Sequence, residues 1–135
     1  MAIEDDVLAV AHDMIDAWNR LDWERVLALF AEDGLLHSMM EDDATVGRPA
    51  IRRRLQALTE GTSEIRIEIR NEAAVGNLVF LERVDNFVIG GRSGSMPVVG
   101  VLEIEDGVVA AWREYYDRAT LLRGLGVDHD FAEDL

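Results

Sequence analysis

The 135-residue chain predicts an α+β fold: a strongly curved, mixed but mostly antiparallel sheet wrapped on N-terminal helices, with an apolar pocket inside. Two patterns carry this. Apolar residues in the first half recur at the spacing of one helix face, and those in the second half alternate with polar ones at the period of two that a strand needs. Helices followed by a run of long strands make an α+β architecture. A sheet that curls over such helices forms a cone, and its greasy interior suits a small molecule.

The elements follow in order. Val7, Ala11, Met14, Ile15 and Trp18 share one face of a first helix. Asp22 is placed to cap a second helix, with Trp23, Val26, Leu27 and Phe30 turned inward. Asp33-Gly34 is expected to break that helix, and residues 35–40 read as a short strand. Gly47-Arg48-Pro49 opens a third helix, since proline fits a first helical turn. Ile51, Leu55 and Leu58 form its inner stripe, and Gly61 ends it. Ile65, Ile67 and Ile69 then alternate with Arg66, Glu68 and Arg70, a half-buried strand. Gly76-Asn77 turns into a strand over 78–89, and residues 90–94 form a loose connection to another over 95–105. Pro97 in that strand demands an edge or a bulge. Asp106-Gly107 marks a hairpin into the strand 108–117. A short helix over 120–125 and a mobile acidic tail over 128–135 complete a single domain.

Composition narrows the function. The formal net charge is −14, which disfavours nucleic acid and anionic membrane surfaces as partners. No cysteine is present, so disulfides, thiolate catalysis and thiolate metal sites are excluded, and a cytoplasmic location is compatible. The first residues, Met1-Ala2-Ile3-Glu4, lack the basic-then-apolar order of a signal peptide, and no apolar run nears the ~20 residues of a membrane span.

The most informative residues are Arg83 and Asp85. Val79, Leu81, Arg83, Asp85, Phe87 and Ile89 share one strand face, which is apolar except for one cation and one carboxylate. A buried ion is costly unless paired and hydrogen-bonded. A second carboxylate, Asp117, ends the last strand. Two strands curled round one cavity would bring Arg83, Asp85 and Asp117 together, a setting for acid–base chemistry on a hydrophobic substrate. The plain alternatives are a structural ion pair for Arg83–Asp85, and a helix cap for Asp117.

These residues also carry a resemblance. Glu82-Arg83-Val84-Asp85 and Trp112-Arg113-Glu114-Tyr115-Tyr116-Asp117, with Phe30-Ala31-Glu32-Asp33, Gly47-Arg48 and Val99-Gly100-Val101 in weaker support, resemble limonene-1,2-epoxide hydrolase. That family belongs with the cystatin-like cone of the SnoaL-like cyclases, ketosteroid isomerase and nuclear transport factor 2. The resemblance implies a one-step push–pull hydrolysis of an epoxide to a vicinal diol, without metal, cofactor or covalent intermediate. Asp117 would be the base that activates water, Asp85 the acid that protonates the oxirane oxygen, and Arg83 the bridge. It also implies a homodimer through the outer face of the sheet, where Phe80 and Val88 place apolar surface.

One feature departs from that pattern. The family holds its water with a tyrosine and an asparagine two residues apart on the first strand, and these positions fall on Leu36 and Ser38. Ser38 keeps one hydrogen-bonding group and Leu36 none, so the water is held less firmly or another group substitutes. Tyr115 shares the parity of Asp117 and is a further candidate for substrate contact.

Other polar groups have plainer readings. His37 is expected to be a strand residue facing away from the pocket, and no histidine pair has ligand spacing for zinc. Glu41-Asp42-Asp43 reads as a solvated loop, with Arg52-Arg53-Arg54 a solvated helix start or its partner. Two other functions remain open on the same cone: proton transfer beside a carbonyl, as in ketosteroid isomerase or a polyketide cyclase, and a non-catalytic binding or dimerisation module.

Overall fold

The computed structural model describes residues 2–127 of the chain. The segment 128–135, expected as a mobile tail, lies outside the described residues. Helix α1 (Ile3–Asn19) buries Val7, Ala11, Met14 and Ile15 against the concave face of the sheet. Glu4, Asp5 and Asp6 in its first turn suit the positive end of the helix dipole. Asn19 near its end exchanges hydrogen bonds with the backbone of Ile67, accepting from its N–H at 2.7 Å and donating to its carbonyl at 3.4 Å. Asp22 caps helix α2 (Trp23–Leu29), its carboxylate accepting from the Arg25 N–H at 3.2 Å.

Phe30 does not belong to that helix. It is extended and begins strand β1 (Phe30–Ser38). Two contacts explain the switch. Its ring is fully buried, stacking on Trp112 at 6.2 Å, and Arg48 donates to its carbonyl from Nε at 3.0 Å and from Nη2 at 2.6 Å. Asp33-Gly34 lies within β1, where the register slips between Phe30 and Leu35. A β-carbon at Gly34 would stand 2.9 Å from the Ala31 carbonyl oxygen, so the slip needs glycine. A two-residue strand, β2 (Thr45–Val46), follows, and Gly47 at φ +90 leads into helix α3 (Arg48–Thr59). Ile51 and Leu55 are buried as expected, whereas Leu58 is 49% exposed at the end of the stripe.

The remaining strands form a meander: β3 (Thr62–Val75), β4 (Leu78–Ile89), β5 (Arg92–Glu105) and β6 (Val108–Tyr116), before a short helix α4 (Arg118–Gly124). The connection before β5 is tighter than expected, a turn on Gly90 and Gly91 with both at positive φ. The open sheet runs β2-β1-β6-β5-β4-β3, with β1 and β6 parallel and every other neighbouring pair antiparallel. Pro97 pairs with Val84 on one side only. Pairing of β5 with β6 begins at Val98, so the stretch holding Pro97 is locally an edge.

The core lies between α1, α2, α3 and the concave face. Val79 and Leu81 from β4, Leu102 from β5, and Trp112 from β6 are essentially inaccessible. Truncating a side chain such as Leu81 to alanine costs about 2–5 kcal/mol, because the cavity left behind refills only in part. Among the described residues no helix is long and apolar enough to cross a membrane.

Candidate active site

The same face of β4 that buries Val79 and Leu81 next presents Arg83 and Asp85, as strand alternation requires. On β6, Trp112 points inward and sets the parity, so Glu114 and Tyr116 also face in. These residues line one cavity of about 200 Å³ between sheet and helices. Its walls are otherwise mostly apolar, with Leu36, Ile67, Phe87, Met96 and Leu121 among them.

At its inner end one guanidinium grips two carboxylates. Arg83 donates to Asp85 from Nε at 2.9 Å and Nη2 at 2.7 Å, and to Glu114 from Nη1 at 2.9 Å and Nη2 at 2.6 Å. Only 3% of the Arg83 side chain is exposed, against 17% for Asp85 and 16% for Glu114. The guanidinium also sits over the Trp112 ring, 5.8 Å from its centroid. Gly100 makes the convergence possible. It lies between Leu81 and Glu114 in the sheet, and a β-carbon there would stand 2.5 Å from Arg83 Nη1 and 2.7 Å from Glu114 Oε2.

The electrostatics follow from burial. Burial opposes the charge of Arg83, but Glu114 and Asp85 outweigh it and raise its pKa, so it stays cationic. Burial also pushes Glu114 above the ordinary glutamate value of 4.5, with Asp85 adding to the effect and Arg83 opposing it. With both acids ionised the cluster would carry a net negative charge in a poorly solvated place. One proton shared by the two carboxylates removes it.

Asp117 is not part of this cluster. It is exposed and caps α4, its carboxylate accepting from the Ala119 N–H at 3.2 Å and the Thr120 hydroxyl at 2.7 Å. Those contacts hold its pKa below the usual aspartate range, and the second acid on Arg83 is Glu114 instead. The odd parity that turns Asp117 away also carries Tyr115 to the outer face, where it is 46% exposed opposite Val99. Tyr115 therefore lines no part of the cavity wall, and Tyr116 does. The signal for Glu114 and Tyr116 is the bulk of Trp112, which fixes the inward face of β6.

Leu36 and Ser38 both line the cavity, and both are buried. Ser38 Oγ lies 2.6 Å from the Tyr116 hydroxyl oxygen. His37 faces away, with Nε2 hydrogen-bonded to the Glu41 carbonyl oxygen at 2.8 Å. Two arginines of α3 pair with separate acids: Arg54 with Glu41 in the loop, at 2.9 and 3.1 Å, and Arg52 with Glu24 of α2. Among the described residues no group of three acidic, histidine or cysteine side chains is arranged to hold a metal ion.

An open cone of this topology with ionisable groups buried in its throat defines a class. Residues 11–112 match the family model for the SnoaL-like domain, and the chain belongs to that family. It is 28% identical over 113 residues to epoxide hydrolase EphG of Mycobacterium tuberculosis, covering 82% of this chain and 73% of that protein. A solved structure of an LEH-like epoxide hydrolase from M. tuberculosis superposes with a TM-score of 0.79 at 23% identity, over 90% of each chain. A protein of ketosteroid isomerase-like fold from Catenulispora acidiphila gives 0.77 at 19% identity, over 87% of this chain and 92% of that one. At these identities the two structures bear on the fold alone.

Proposed function

We propose that the protein is a cofactor-independent epoxide hydrolase that adds water to an epoxide of a hydrophobic small molecule. The observation that carries this reading is the double fork: one buried guanidinium holding Asp85 and Glu114 at 2.6–2.9 Å inside an apolar cavity. The relative named as an epoxide hydrolase supports it. Glu114 takes the role expected of Asp117. Burial favours the pair's proton on Glu114, so the reactive form is the one in which that proton has passed to Asp85 and Glu114 is ionised. Water loses a proton to Glu114 as its oxygen bonds to one oxirane carbon. The C–O bond of the ring breaks, and Asp85 delivers its proton to the leaving oxygen. A vicinal diol results, and proton exchange returns the pair to its starting state. Positioned proton transfer contributes ~10²–10⁴-fold per group, and relief of ring strain assists. A carboxylate destabilised by burial is a stronger base once ionised, which suits Glu114 for the water.

The proposal extends to the assembly and its setting. The functional unit is a homodimer formed through the outer face of the sheet, where Phe80, Val99 and Tyr115 leave apolar surface exposed. The absence of cysteine suits the cytoplasm as its compartment. A second reading, proton transfer beside a carbonyl, draws on the raised pKa of Glu114, since a protonated buried acid can donate to an enolate oxygen.

Incubation of the protein with a panel of apolar epoxides in ¹⁸O-labelled water tests the first reading. Singly labelled diol is the expected product. Turnover of a Δ5-ketosteroid or a poly-β-ketone, with the epoxides untouched, would replace it with the second.

A further inference from the structure

Two hydroxyls in the cavity have no role in the acid–base step described above. Ser38 Oγ and the Tyr116 hydroxyl oxygen lie 2.6 Å apart, and both residues line the cavity. Ser38 is 6% exposed and makes no other side-chain hydrogen bond among the described residues. Their position is set by the sheet. Ser38 of β1 lies beside Glu114 of β6 in parallel register, and Tyr116 is the next inward residue on the same strand as Glu114. A serine, a tyrosine and a carboxylate therefore line the same cavity near the end of β1.

We infer that Ser38 and Tyr116 act together as the seat of the nucleophilic water, with the phenol supplied from β6 rather than from the first strand. The inference rests on the epoxide hydrolase reading and deepens it. Hydrogen-bond counting supports it. Whichever hydroxyl donates across the 2.6 Å contact, one hydroxyl proton and at least one lone pair remain free. A water between the dyad and Glu114 donates one proton to the carboxylate and one to a dyad oxygen. It accepts the remaining hydroxyl proton, and its second lone pair is left to attack the oxirane carbon. Leu36, two residues before Ser38, can offer no such bond, so the site needs the phenol. An unpaired hydroxyl in an apolar cavity would be unfavourable, which explains why the two are mutually bonded.

The test compares the wild-type protein with Tyr116→Phe, Ser38→Ala and the double variant on any epoxide the wild type hydrolyses. Tyr116→Phe keeps the ring and is expected to lower kcat about 10-fold or more, with KM within twofold, since the lost bond is to water and not to substrate. Ser38→Ala is expected to lower kcat in the same way, and the double variant to be no worse than the poorer single, because the hydroxyls act as one unit. In water containing methanol, the share of methoxy-alcohol relative to diol is expected to rise in Tyr116→Phe, a change that a purely structural role would not produce. A kcat within twofold of wild type in Tyr116→Phe with an unchanged product ratio overturns the inference and leaves the hydrolase reading standing. A wild-type protein inert toward every epoxide overturns the hydrolase reading, and this inference with it.

Discussion

At the scale of single residues the cluster turns on which acid meets Arg83. Asp85→Asn and Glu114→Gln are expected to lower epoxide turnover by about 100-fold or more while circular dichroism stays native, because each removes one proton carrier. Asp117→Asn is expected to keep near-wild-type turnover, since its carboxylate serves α4 and not the cavity. The pH dependence has a definite sign. Turnover needs the one proton that Glu114 and Asp85 share, so it falls as pH rises through the raised pKa of Glu114, where that proton is lost. Stability moves the same way. The folded protein binds the Glu114 proton more tightly than the unfolded chain, so this contribution is full below the unfolded pKa and is lost as pH rises through the folded one. Urea unfolding of wild type and Glu114→Gln at several pH values is expected to show the wild-type advantage shrinking with pH. Arg83 and Asp85 were legible because an ion pair interrupts an otherwise apolar strand face. Glu114 was harder to find, since Ala110, Ala111, Tyr115 and Tyr116 blur the alternation of β6 and three-dimensional packing of Trp112 decides it.

At the scale of elements, the site is a product of strand register. Gly100 opposes Glu114 across the β5–β6 ladder and leaves room for the guanidinium. Gly100→Ala is expected to lower kcat several-fold or more and to destabilise the fold, because its β-carbon would meet Arg83 and Glu114 well inside contact distance. Kinetics with thermal unfolding on this one variant checks both effects. The order of elements could be read from periodicity and turn residues: Asp22, Pro49, Asp106 and Gly107 each sit where their conformational preferences place them. The helix-to-strand switch at Phe30 could not, because the burial of its ring against Trp112 and the reach of Arg48 are long-range contacts that override local helical spacing. Pro97 obeyed its rule in a way visible only in the pairing: β5 is an interior strand that is flanked on one side alone along part of its length.

At the scale of the whole molecule, the outer face of the sheet bears on assembly. Val99 and Tyr115 oppose one another across β5 and β6, and both are exposed. Sedimentation is expected to give twice the 15.1 kDa mass of the chain, and Val99→Arg is expected to halve it by burying an unpaired charge at the interface. A monomeric wild type at micromolar concentration would remove the dimer from the proposal. The position of β6 between β1 and β5 has a different consequence, for folding order. Among the described residues, the last strand in chain order is a keystone slotted into the middle of the sheet. Until it docks, its two neighbours keep bare ladder edges, and Ser38 and Arg83 of the throat lack Glu114. Contacts so distant along the chain form slowly, so assembly of the throat belongs to the last stage of folding, when those open edges are most exposed to pairing with another chain.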